Sequence, residues 1–295
     1  MSSTRDNQKR LQAPEAASSV NIPEEEINST QNQGLSFSIP TEFVDLPSRG
    51  LYYPAGHPLH NVDSVEIKHM TAKEEDILAS PSLIRKGVVL DRMLQSILID
   101  KSIQVKDLLV GDKNALTVAA RITGYGSEYT THVQCPVCNT KQEFDFDLDS
   151  GTTVGAAYER QEFNDNIEEV EFTEQNTFVL TLPKSGHAVE LKMLTGEDET
   201  RLQKYQNRKE NSNDASTALT DTLKSIIIRV GEYKNRRDIN AFVESMPALD
   251  SRYLRKIYQR LVPNIDLTQE FSCSSCGHTQ DLEVPVTTDF FWPKS

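Results

Sequence analysis

The chain has 295 residues, 37% of them hydrophobic, and a formal net charge of −13. That length holds one large or two modest domains, and the acidic balance opposes binding to nucleic acid or to an anionic membrane face. No run approaches the roughly 20 apolar residues of a membrane span, and Met1–Gly34 lacks the apolar segment of a secretory signal. Synthesis in a reducing cytosol is therefore expected, where cysteines serve metal binding or redox chemistry rather than structural disulfides.

Residues 1–35 are rich in Ser, Asn, Gln and Glu and poor in large apolar groups. Such a segment cannot bury enough surface to offset its ordering entropy, so it reads as a disordered N-terminal arm. A first unit is expected over 36–150. It opens with extended pieces at Phe37-Ser-Ile39 and Phe43-Val-Asp-Leu46, followed by a loop whose Pro and Gly residues run from Leu51 to His60. The two Tyr and two His of that loop have no acidic or cysteine companion at ligand spacing, so packing is the expected role.

Val65, Ile67 and His69 alternate with Glu66 and Lys68, the pattern of a strand with one wet face. Thr71-Ala-Lys-Glu74 has the spacing of a capping box, and the acidic run Glu74–Asp76 suits a helix N-terminus. Leu90, Met93, Leu94, Ile97 and Leu98 follow helical spacing and form a core face. Asp112 is placed as the N-cap of a helix carrying Leu116, Ala119 and Ala120. That helix leads into Cys135-Pro-Val-Cys138 and the alternating residues Phe144, Phe146 and Leu148.

A connector is expected over 151–176, and a second unit over 177–288 that repeats the first. Leu182-Pro-Lys-Ser-Gly186 resembles Leu46-Pro-Ser-Arg-Gly50, and Val189-Glu-Leu-Lys-Met-Leu-Thr195 resembles Val65-Glu-Ile-Lys-His-Met-Thr71. Thr195–Asp198 takes the place of the capping box. Leu219, Leu223, Ile226, Ile227 and Val230 form the matching helical stripe, and Asp250 is placed as the N-cap of a helix with Leu254, Ile257 and Leu261. Cys273-Ser-Ser-Cys276 follows, with Leu282, Val284 and Val286 alternating after it. The fold class is thus α+β: two related units from internal duplication, each with strands, a small helical bundle and a Cys-x-x-Cys zinc-knuckle hairpin. Residues 289–295 form an aromatic tail. Phe290, Phe291 and Trp292 either close a core or anchor a partner.

Cys135, Cys138, Cys273 and Cys276 are the chain's four cysteines. A Cys-x-x-Cys turn aims two thiolates at one point, and two such turns supply the closed tetrahedral set of a structural zinc ion. One shared ion is the favoured arrangement, because a twofold pairing of the units brings the hairpins together. Two others stay open: separate sites completed by His132, His278 or another chain, and reduced or redox-active pairs. There is no Gly-rich phosphate loop, nucleophile elbow or His-Glu-x-x-His, so no enzymatic activity is expected.

The runs Pro40–Pro54, Met70–Leu78, Leu108–Asn114 and Ile122–Gly126 resemble the baseplate hub and hub-assembly proteins of T-even-type contractile-tailed phages. The likeness is closest over residues 37–148. It implies a structural role in the tail baseplate of the virion, through contacts with other baseplate and tail proteins, and it carries over no catalytic residues. A transient assembly chaperone, present only in the host cytoplasm, and a zinc-ribbon nucleic-acid binder are the alternatives.

Overall fold

The computed structural model describes residues 38–155, 170–211, 217–285 and 288–291. The expected N-terminal arm, Phe37, the middle of the expected connector, Val286 and Trp292 lie outside the described residues. The described part is mixed helix and sheet.

The first half opens with β1 (Thr41–Asp45) antiparallel to β2 (Ser64–Lys68). Three short helices follow: α1 (Ala72–Leu78), α2 (Pro81–Lys86) and α3 (Val89–Ile97). Pro81 at the first position and a left-handed Gly87 just past the end delimit α2, as chain sterics favour. The long α4 (Val110–Tyr125) leads into the hairpin β3 (Glu128–Gln134) and β4 (Lys141–Asp147). Strand β5 (Thr152–Val154) lies within the expected connector.

The second half begins with β6 (Val170–Phe172), β7 (Phe178–Thr181) and β8 (Ala188–Leu191), which with β9 (Ile227–Val230) make a four-stranded antiparallel sheet. Between β8 and β9 come α5 (Gly196–Asn211) and α6 (Ala218–Ile226). Helices α7 (Arg236–Ser245) and α8 (Ala248–Leu261), strand β10 (Asn264–Asp266) and the hairpin β11 (Gln269–Ser272) and β12 (Thr279–Leu282) complete the order.

The segments matched in sequence make matching contacts. Val44 pairs with Val65 in the first half, and Leu180 with Val189 in the second. Lys68 Nζ binds Glu74 at 2.8 Å and Lys192 Nζ binds Asp198 at 2.5 Å. The same carboxylates accept the Thr71 and Thr195 amides, at 3.0 and 3.3 Å. Ile67 bridges to Leu98 after α3, and Leu191 pairs with Ile227 after α6.

Three expectations change at this level. Ile227–Val230 is strand, because the chain leaves α6 to join β8. Leu219 is 58% exposed, while Leu223 and Ile226 carry the buried face of α6. Asp112 and Asp250 are not N-caps. Each lies inside its helix, after Leu109 and Pro247 at the cap positions, with its carboxylate turned back on a Leu-Pro loop. Asp112 accepts from Ser48 N (2.9 Å), Ser48 Oγ (2.6 Å) and Tyr53 Oη (2.8 Å). Asp250 accepts from Lys184 N (2.7 Å) and Ser185 N (3.0 Å).

The halves share one core. Leu116 and Leu148 of the first belong to the same apolar cluster as Leu180, Leu254 and Phe290 of the second. Backbone bonds cross between them: Val110 N donates to Leu194 O and Gly196 N to Leu108 O, at 3.0 and 2.9 Å. Strand β5 pairs with β10. A Cβ on Gly111 would lie 1.9 Å from Pro263 O, so α4 packs against this junction at a distance only glycine permits.

Candidate metal centre

Each thiol pair sits on a turn built from backbone bonds. Cys135 N donates to Thr140 O (2.9 Å) and Asn139 N to Cys135 O (2.9 Å). In the second hairpin Cys273 N donates to His278 O (2.8 Å) and Gly277 N to Cys273 O (2.9 Å). The turn needs one left-handed residue, supplied by Asn139 (φ 57°) and Gly277 (φ 70°). Asn and Gly tolerate that region best. Pro136 occupies another position in its turn, so the equivalent of Gly277 is Asn139.

The hairpins lie side by side and are stitched by two glutamines. Gln142 Nε2 donates to Ser272 O (3.2 Å), and its Oε1 accepts from Ser274 N (2.9 Å). Gln269 Nε2 donates to Asp147 O (2.8 Å), and its Oε1 accepts from Asp147 N (3.1 Å). The Phe144 and Phe271 rings meet edge to face at 5.5 Å. With Val133 and Leu282 they close a small apolar cluster around Cys135 and Cys273.

All four sulfurs converge. Cys135 Sγ lies 3.7 Å from Cys276 Sγ, and Cys138 Sγ lies 3.6 Å from Cys273 Sγ. All four lie within 4.8 Å of one another. A tetrahedron with metal–sulfur bonds of about 2.3 Å has edges of about 3.8 Å. The set therefore has the size of a metal-thiolate site, and the four cysteines are free of disulfides. The two contacts just quoted run between hairpins, the geometry of a common ion. Cys135 and Cys273 are buried and Cys138 and Cys276 exposed, so one side of the set faces the apolar cluster and the other faces water. Among the described residues, no histidine joins the group.

The thiols also perturb each other's acidity. The Thr140 hydroxyl, 3.2 Å from Cys138 Sγ, heads the hydrogen bonds that hold the Cys138 thiol down to about 6. The His278 amide lowers Cys276, but Cys138, loss of solvent and the other two thiols outweigh it and push Cys276 up to about 12. Like charges this close resist joint ionisation. A bound divalent cation removes that conflict.

The family model described as T4 bacteriophage base plate protein matches residues 40–292. The chain belongs to this family. The match spans both halves and both hairpins. It gives the protein a place among the structural components of the phage tail baseplate, in the virion, in contact with other tail proteins. No curated protein and no solved structure matches the chain. No helix among the described residues is long and apolar enough to cross a membrane.

Phe290 and Phe291 are buried to within 1% of full burial. They sit edge to face with each other, and Phe290 sits the same way on Tyr129. Of the two roles expected for the aromatic tail, these two rings take the core one. Their anchor is Arg121, which the sequence reading did not single out. Its guanidinium is buried on α4 and donates to Phe290 O (2.7 Å), Gly126 O (2.6 Å) and Glu128 O (2.9 Å). A lone arginine in an alanine-rich helix carries no signal of this role.

A cavity of about 660 Å³ opens between α3, α4, α5 and β10. Several of the polar groups that line it are paired with one another. Lys113 Nζ binds Asp91 (2.7 Å) and Glu199 (2.8 Å), and Asn114 Nδ2 donates to Asn264 Oδ1 (3.1 Å).

Proposed function

We propose that this baseplate protein is a permanent, non-enzymatic component of the hub region, and that one structural zinc ion clasps its two halves. The observation that carries the clasp is the convergence of sulfurs from Cys138 and Cys273, 135 residues apart, to 3.6 Å. Four thiolates saturate zinc and leave no position for water or substrate, so the ion's role is to hold. The clasp suits a part that must keep its shape while neighbours bear on it. Binding free energy at such a site adds directly to folding free energy. The hub assignment rests on the likeness of residues 40–54, 70–78, 108–114 and 122–126 to hub proteins.

We infer also that the halves, 36–150 and 177–288, descend from one duplicated unit. The matching ladders, Lys–carboxylate caps, Leu-Pro loops and thiol turns support this, since unrelated segments have no reason to repeat them in one order.

Metal analysis of the purified chain should return one zinc per molecule. Two per molecule, or none after refolding with zinc, defeats the shared site. Quantitative mass spectrometry of purified particles decides between a resident part and an assembly chaperone. The resident reading expects a fixed copy number in mature tails, and absence from them favours the chaperone.

A further inference from the structure

Strands β1 and β7 occupy corresponding places in the two halves but have different outer neighbours. In the second half, β7 has β8 on one side and β6 on the other. Glu171 of β6 stands opposite Val179, and Val170 and Phe172 stand opposite Leu180 and Phe178. The Phe172 ring meets Phe178 edge to face at 5.0 Å. In the first half, β1 has β2 on one side and, among the described residues, no strand on the other.

The outward groups of β1 follow from its ladder. Leu46 N donates to Asp63 O at one end and His69 N to Pro40 O at the other. Antiparallel bonding alternates, so Glu42 and Val44 face β2. The amides and carbonyls of Thr41, Phe43 and Asp45 point away from it. Phe43 corresponds to Val179, and its ring is 68% exposed. Thr41 and Asp45 are exposed as well. An open strand edge beside an exposed aromatic is a template for another strand.

We propose that the outer edge of β1 is a docking site for an antiparallel strand of a neighbouring baseplate protein. The strand carries an apolar residue opposite Val44 and Lys or Arg opposite Glu42 and Asp45. Strand β6 shows what such an edge accepts: three residues, with apolar side chains on the inner face. Charge selects the partner. β1 reads Thr-Glu-Phe-Val-Asp, with two carboxylates and no cation, whereas β7 reads Phe-Val-Leu-Thr and pairs with a strand carrying Glu171. Main-chain bonds would give affinity and the flanking charges specificity.

This inference rests on the reading of the chain as a resident baseplate part. The test is peptide-resolved hydrogen exchange of 41–46 and 178–182, in the isolated chain at low concentration and in purified tail particles. Mass spectrometry of the same particles reports whether the chain is present. The expected result is that 178–182 is protected in both samples, while the outward amides of 41–46 exchange freely in the isolated chain and slow about 100-fold in particles. Fast exchange in particles that contain the chain overturns the docking site alone. Protection in the dilute isolated chain shows that the chain closes its own edge and also overturns it. Protection with dimer formation as the isolated chain is concentrated makes a second copy the occupant and overturns the partner named here. Absence of the chain from particles overturns the resident reading, and the docking site with it. Phe43→Pro supplies an independent arm. The lost amide hydrogen points away from β2, and Pro is tolerated at such edge positions, so the isolated variant should keep a Tm within about 2 °C of the parent while incorporation into particles falls at least tenfold. Normal incorporation contradicts the proposal.

Discussion

Asp112 and Asp250 do one job in two settings. Each reaches from the first turn of a long helix to the amides of a Leu-Pro loop. Asp112 also takes two hydroxyls, from Ser48 and Tyr53, and all its partners are buried. Asp250 takes two amides, both only part-buried. Burial pushes the Asp112 carboxyl above the usual carboxylate range despite those donors. For Asp250 burial acts in the same direction, but the Lys184 and Ser185 amides outweigh it and hold the carboxyl low. The loop that carries Tyr53 thus gives Asp112 more partners, and more deeply buried ones, than Asp250 has.

If one ion serves both halves, the largest effect should be the same from either side. Cys135→Ser and Cys273→Ser should each lose the metal and destabilise the chain by about 4 kcal/mol or more, read together by metal content and urea melts. Unequal metal loss would break the comparison. Next in size, Asp112→Ala should cost about 3 kcal/mol, because it strands the buried Ser48 amide and Tyr53 hydroxyl. Asp250→Ala should cost about 1 kcal/mol, because water can reach the freed amides. Equal costs would show that burial does not separate the two loops. An effect close to that of Asp250 is expected at the helix cap: Glu74→Gln should cost about 1–2 kcal/mol, since Lys68, Ser96 and Thr71 all bind that carboxylate.

Acid sharpens the comparison further. Burial works against Glu74, but the bonds from Lys68, Ser96 and Thr71 prevail and take it from 4.5 to about 2. Its stabilisation is therefore complete above 4.5 and is lost as pH falls toward 2. Asp250, also held low, loses its contribution on the same acid limb. Asp112 has the opposite sign: its contribution is present at low pH and is lost as pH rises through its raised value. Urea melts across pH 2–6 should show a shallower acid limb for Glu74→Gln and Asp250→Asn, and no such flattening for Asp112→Asn.

How much of this was legible before folding varies by residue. Leu94, Ile97, Leu254 and Leu261 repeat at helical spacing and are buried, because a periodic apolar face has one place to go. Glu74 was legible as a cap because Thr71 lies three residues before it. Leu219 was misread because it meets the helical period yet sits near the start of α6, where the stripe has not yet reached the core. Tyr53 was set aside for want of an acidic companion. That companion, Asp112, is 59 residues away, and no local pattern reports it. Arg121 was invisible for a similar reason: its acceptors are carbonyl oxygens, which every residue has.

The amino-acid order alone determined the thiol chemistry. Cys-x-x-Cys on a tight turn aims its sulfurs locally, whatever the rest of the chain does. It also determined the segments that repeat and the faces they bury. Only the tertiary structure decided that the two turns meet, that β5 crosses to β10, that Phe290 turns inward onto Tyr129 with Phe291 against it, and that, among the described residues, β1 has an uncovered edge where β7 is covered by β6. The reason is range. Spacing encodes contacts within a few residues, whereas these contacts join residues more than a hundred apart, and only the packed core brings them together.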